Sequence, residues 1–303
     1  MWSLFRAEWK KTIGNRWLVG CLMGLFPMAA LVVSLFIFAL VIFDSEIQER
    51  VANNPTPWTD ASLFFWAIPN SIIGRLLIVA FTAAMFAGEY QWGTWKNLMQ
   101  RRDRISLIVT KFITLGIFVI LSFILTSLIW VIGRGVIQLV AGGTYPPAFD
   151  EIPSDYWNKL LLQMFNTFVS TLILSGVAAL VALVTRSIIA SIIVGMVAAI
   201  FDGFVGVVLL LFYSLTEQRF FPGLYRFTVS YNVDNLLNIA TSGEPSPVLG
   251  NINVQNNFVF GTLKLDPPLA GNPLGISLLI MLLWAALMIC LSVYSFYRQD
   301  MTA

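Results

Sequence analysis

Ionisable and nucleophilic side chains do most protein chemistry, and this chain is poor in them. Its 303 residues include 18 Lys and Arg, 16 Asp and Glu, two cysteines and no histidine. The lack of histidine excludes haem axial imidazoles and histidine-ligated zinc, and removes the commonest general base. Cys21 and Cys290 lie within apolar runs, an arrangement that suits neither a disulfide framework nor a thiolate metal site. Two charges, Arg75 and Asp202, stand inside long apolar runs, and Arg134 lies near the end of a third. A charge at a bilayer centre costs at least ~2.5–3.5 kcal/mol, so each needs a partner or a route to water. At the rise of an α-helix, Asp202 is expected about 20 Å from one face and Arg75 about 14 Å from the other. Those depths suit a pair, either a packing contact or part of an outer gate, while Arg134 can snorkel. An intramembrane hydrolase would need paired carboxylates or a histidine cluster, and Asp202 stands alone.

The other concentration of polar and aromatic groups is GEYQWGTWKNLMQRRDR, Gly88 to Arg104, between two apolar runs. Trp92, Trp95, Leu98 and Met99 make an apolar stripe if the segment is helical, with Lys96, Arg101, Arg102 and Arg104 as its cationic remainder. Such a helix could rest on a membrane interface by its tryptophans or offer a partner a rigid knob. Gly93 permits a bend, and Glu89 is placed to favour the start of the following helix.

The elements that must position these residues are membrane spans. Hydrophobic residues make up 58% of the chain and charged residues 11%, far from the roughly 25% charge of a soluble domain. Six runs, at about 17–43, 66–88, 108–133, 160–185, 187–214 and 273–297, are long enough to cross a hydrocarbon core about 30 Å thick. They are continuous rather than alternating, which excludes a β-barrel. The fold class expected is an all-α polytopic membrane protein forming one transmembrane domain over residues 1–303. In the first span Gly20 and Gly24 form a G-x-x-x-G suited to close helix contact, and Asn166, Thr167, Ser170, Thr171 and Ser175 in the fourth could line a polar path.

Lysine and arginine set the orientation. Arg6, Lys10, Lys11, Arg16, the turnaround cations, Lys111, Arg186 and Arg298 fall on one side, so both termini are expected in the cytoplasm. Residues 2–11 read as an amphipathic interfacial helix, with Trp2, Phe5 and Trp9 inserted and the cations toward lipid phosphates. The stretch 44–60, with NNPTPW, reads as an outer loop without apolar period. Residues 217–271 read as a large extracytoplasmic loop, with a short helix in YNVDNLLNIATSG and a strand in VQNNFVFGTLKL. The net charge of +2 follows from this topology and gives no case for nucleic acid. No G-x-x-x-x-G-K-[ST] motif is present, so ATP, if it is used, must be handled by another polypeptide.

The pattern of Glu89, Gly93, Thr94, Leu98 and Arg104, followed by Lys111, resembles the turnaround between spans two and three in permeases of type-2 ATP-binding-cassette (ABC) exporters. A proline common before the basic residue in such turnarounds is replaced here by Gln100-Arg101-Arg102-Asp103. The resemblance implies a permease that is not itself an enzyme and binds no cofactor. It implies a separate ABC-type ATPase carrying ATP and Mg, gripped through a cytoplasmic coupling helix over 89–104, in which Trp92 and Trp95 would take part. It further implies a homo- or heterodimer of permeases in a bacterial plasma membrane, with membrane lipids around it. An ion-coupled secondary transporter and a membrane anchor for a cytoplasmic complex are the alternatives. The former would favour internal repeats and several midplane carboxylates, and neither is evident.

Overall fold

The computed structural model describes residues 2–20, 24–54, 57–93, 95, 103–143, 152–249 and 269–299. Among these the regular structure is helical apart from one isolated antiparallel bridge between Val248 and Leu269. The helices are α1 (Trp2–Gly14), α2 (Arg16–Val19), α3 (Leu25–Phe43), α4 (Ser45–Asn53), α5 (Trp58–Phe64), α6 (Ile72–Gln91), α7 (Arg104–Val140), α8 (Tyr156–Thr185), α9 (Ile188–Thr216), α10 (Phe220–Leu224), α11 (Val229–Ser242) and α12 (Leu274–Tyr297). Six of them, α3, α6, α7, α8, α9 and α12, are long and apolar enough to cross a membrane. The protein is an all-α polytopic membrane protein. Its helices form two compact units, one of Met1–Leu77 with Thr110–Phe168 and one of Ile78–Val109 with Val169–Ala303.

In the first unit, α1 turns Leu4, Glu8 and Thr12 inward, one residue per turn. Trp2, Phe5 and Trp9 form an aromatic ladder with centroid spacings of 5.5 and 5.7 Å, which ends with Trp9 stacked on Phe118 of α7 at 4.4 Å. The ladder therefore divides its faces: Trp2 is 71% exposed, whereas Trp9 packs on protein rather than standing in an inserted row. The stretch expected as a loop over 44–60 is mostly helical. Asp44 starts α4 by accepting from the N–H groups of Glu46 and Ile47, and Ile47 and Val51, one turn apart, pack on Val41 and Ile137. Gly133 lets α7 approach α3 closely, since a Cβ there would lie 2.5 Å from Ser34 Oγ. Gly20 and Gly24 make no such approach among the described residues. Around the start of α8, Tyr156 OH hydrogen-bonds Ser62 at 2.8 Å, Ser127 donates to Ser62 O, and Thr167 donates to Trp66 O. Thr167 and Asn166 are both buried.

The second unit is held by small and hydroxylated residues between helices. Gly195 of α9 faces Val79 and Ala178, Gly176 of α8 faces Met288 of α12, Thr82 donates to Ser175 Oγ at 3.1 Å, and Ser191 donates to Ala178 O at 2.6 Å. Beyond α9 the chain does not stand away as a free loop. It folds back along α9, placing Tyr225 in a cluster with Leu210, and brings Ser230 to Asp202. Asp202 lies 14 residues before Thr216, so the return covers about 21 Å at the α-helical rise. α11 then runs beside α12, where Asn235 donates to Asn272 O and Ser277 Oγ, and Tyr231 OH donates to Ser246 O. α11 contains the helix expected in YNVDNLLNIATSG. The strand expected in VQNNFVFGTLKL lies outside the described residues.

Candidate functional site

The turnaround begins inside α6. Glu89 belongs to that helix's last turn and is only 1% exposed, so it closes span two rather than opening the next helix. Trp92 N–H donates to Gly88 O, and Gly93 takes a left-handed φ of +64° while its N–H donates to Tyr90 O. A residue with a Cβ resists that φ, and glycine terminates the helix there. The indole of Trp92 folds back over Gly88, where an added Cβ would meet it at 3.3 Å.

The two tryptophans do not share an exposed stripe. Trp92 is 57% exposed, whereas Trp95 is 2% exposed and packs between Tyr90 and Phe296, at centroid distances of 5.7 and 4.4 Å. The left-handed turn at Gly93 breaks the continuous helical period that the stripe assumed. Thr94 and Leu98 lie outside the described residues.

α7 opens at Asp103, which accepts from Ser106 N–H at 3.1 Å. The signal was present in the sequence as Asp103-x-x-Ser106. Arg104 then reaches the final turn of α12, donating through one guanidinium nitrogen to Tyr297 O at 2.7 Å, Gln299 O at 3.1 Å and Phe296 O at 3.5 Å. A fixed cation at the negative end of a helix satisfies carbonyls that have no partner in the helix itself. Gln299, unremarkable in the sequence, links three segments. Its Oε1 accepts from Tyr90 OH at 2.6 Å and its Nε2 donates to Leu183 O at 2.5 Å. Arg186 stands 5.6 Å over the Tyr90 ring, on a left-handed backbone with φ of 56°.

The remaining expected residues lie elsewhere. Arg75 is half-buried in α6 of the first unit. Asp202 is half-buried in α9 of the second, where its Oδ1 accepts from Ser230 N–H at 3.3 Å and its carbonyl accepts from Ser230 Oγ at 2.8 Å. The carboxylate thereby caps the start of α11, a contact between residues 28 apart that no local pattern announced. Lys111, the last residue of the turnaround pattern, is buried in the first unit and donates to Glu8 Oε2 at 3.2 Å. Among the described residues no cluster of three or more His, Cys, Asp or Glu could hold a metal ion.

No curated protein matches the chain. A family model described as "ABC-2 family transporter protein" matches residues 4–202, about two-thirds of its length. The match takes in most of α1, the whole turnaround and the chain as far as Asp202. Six apolar helices and a family match over most of the chain agree: this is a permease of the ABC-2 family of ABC transporters.

Proposed function

We propose that this chain is the membrane-spanning subunit of an ATP-driven exporter, coupled through residues 89–104 to a separate ABC-type ATPase that carries ATP and Mg. Two permease copies, identical or homologous, form the translocation path in a bacterial plasma membrane, with both termini in the cytoplasm. The chain itself hydrolyses nothing and binds no cofactor; its part is to turn movement of the ATPase into movement of helices. The observation that carries this reading is the build of the turnaround in a chain of this family. Among its described residues Trp95 packs against Phe296 and Arg104 holds the end of α12, while Trp92 stands outward. Aromatic side chains are among the residues that carry most binding energy at protein interfaces.

The experiment is purification of the tagged chain from its native membrane in mild detergent, with stoichiometric partners identified by mass spectrometry. A P-loop ATPase should accompany the parent and be lost from Trp92→Ala, a change at an exposed side chain that leaves the fold intact. Recovery of folded parent without an ATPase, under conditions that preserve known complexes, overturns the reading.

A further inference from the structure

We propose that Gln299, with Tyr90 and Arg104, forms a latch that joins the ATPase-facing turnaround to the ends of α8 and α12, so that a push on the turnaround moves these ends together. The proposal rests on the reading of 89–104 as the coupling segment and adds to it the route by which the movement spreads.

The geometry is that of a junction with one residue at its centre. Gln299 has a single side-chain carboxamide, and each half of it goes to a different segment: Oε1 to Tyr90 of α6 and Nε2 to Leu183 O of α8. Its own carbonyl accepts from Arg104, the first residue of α7. One residue just past the last span therefore touches α6, α7 and α8 through three hydrogen bonds. Trp95, inside the turnaround itself, packs on Phe296 one helical turn earlier. The carboxamide cannot be replaced in kind. A carboxylate accepts from Tyr90 but cannot donate to Leu183 O, and a shorter Asn does not span both partners.

The link to α9 is covalent and short. Between Thr185 and Ile188 stand only Arg186 and Ser187. Arg186 N–H donates to Ala182 O, and Ser187 Oγ accepts from Ala190 N–H to start α9. The left-handed φ of Arg186 holds its guanidinium over Tyr90, the residue that Gln299 grips from another direction. A non-glycine residue kept in that region marks a place where the surroundings over-determine the backbone. Tyr90 thus joins the hydrogen-bonded junction to the α8–α9 turn.

The test uses the full-length permease in lipid nanodiscs, alone and with the co-purifying ATPase. Amide hydrogen exchange is read in two places, 88–106 and 183–187. In Gln299→Ala both segments should exchange faster, by roughly three- to tenfold for each lost hydrogen bond. Gln299→Glu keeps the Tyr90 bond and breaks the other, so it should speed exchange at 183–187 and leave 88–106 close to the parent. Tyr90→Phe, which removes one hydroxyl and no packing, should do the opposite. The ATPase should still bind Gln299→Ala while permease-dependent ATP turnover falls several-fold, a split that simple unfolding does not produce. Unchanged exchange in both segments of Gln299→Ala overturns the latch, as does full ATP turnover in a variant whose exchange has risen. A parent permease that recruits no ATPase overturns the coupling reading instead, and the exchange results then stand on their own.

Discussion

Lys111 of α7 donates to Glu8 of α1 at 3.2 Å, and both side chains are almost wholly removed from solvent. The pair joins residues 103 apart in sequence and fastens the first helix to the beginning of the third span. Arg6 and Lys10 of α1 are exposed, and Glu8 is the one acidic residue within that helix. The one carboxylate of the helix thus serves contact with the protein.

Removing one member of this pair strands the other. Glu8→Gln or Lys111→Met should therefore destabilise the permease by about 3–5 kcal/mol, since an unpartnered buried charge is the costly state. The double variant Glu8→Leu/Lys111→Met should recover most of the loss. Thermal unfolding in detergent, followed by size-exclusion profile, gives the comparison. Equal losses in the single and double variants would show that the charges do not act as a pair.

Trp95 and Trp92 should separate cleanly in the same assay. Trp95→Ala empties a buried site between Tyr90 and Phe296, with an expected cost of about 3–5 kcal/mol. Trp92→Ala should stay within about 0.5 kcal/mol of the parent, as exposed substitutions usually do. Similar melting of the two variants would contradict the burial described here.

Capping of α11 by Asp202 gives a local prediction. Asp202→Ala removes the acceptor for Ser230 N–H and should loosen the start of α11, at about 0.5–2 kcal/mol, the usual worth of a helix cap. Asp202→Asn keeps an acceptor oxygen and should lose less. Hydrogen exchange over 228–233 reads the difference, and identical protection in all three proteins would remove the cap from the account.

Close helix approach makes Gly133 intolerant. A Cβ there meets Ser34 Oγ at 2.5 Å and Ser34 Cβ at 2.7 Å, so Gly133→Leu should cost about 1–3 kcal/mol through forced separation of α3 and α7. Gly133→Leu combined with Ser34→Gly should regain part of it. Melting of the single and double variants decides the matter.

The chain wrote its membrane topology plainly and its internal contacts faintly. Long charge-free runs announce spans because a bilayer acts on every residue of a helix in the same way. The helix around 229–242 was equally legible from its apolar spacing. What escaped were pairings set by tertiary contact. α7 extends beyond its 108–133 stretch to Arg104 and Val140, with Asp103 accepting from Ser106 N–H at its start and Gln138 buried near its end. Glu8 was indistinguishable from any other charge on an amphipathic helix until its distant partner was known. Trp95 looked like an interfacial anchor because its spacing from Trp92 is helical, and only the left-handed turn at Gly93 separates their fates. Tyr90 and Gln299 lie 209 residues apart and carry no pattern between them.

The turn at Arg186 also determines where this protein can be observed. With two residues between α8 and α9, the chain has no slack there, and a rotation of one helix cannot be absorbed before it reaches the other. Ile189, in the first turn of α9, is 71% exposed. A fluorophore or spin label at that position would ride on α9 without disturbing buried packing. Its signal would report the motion of α8 as well, so one label gives the displacement of two helices.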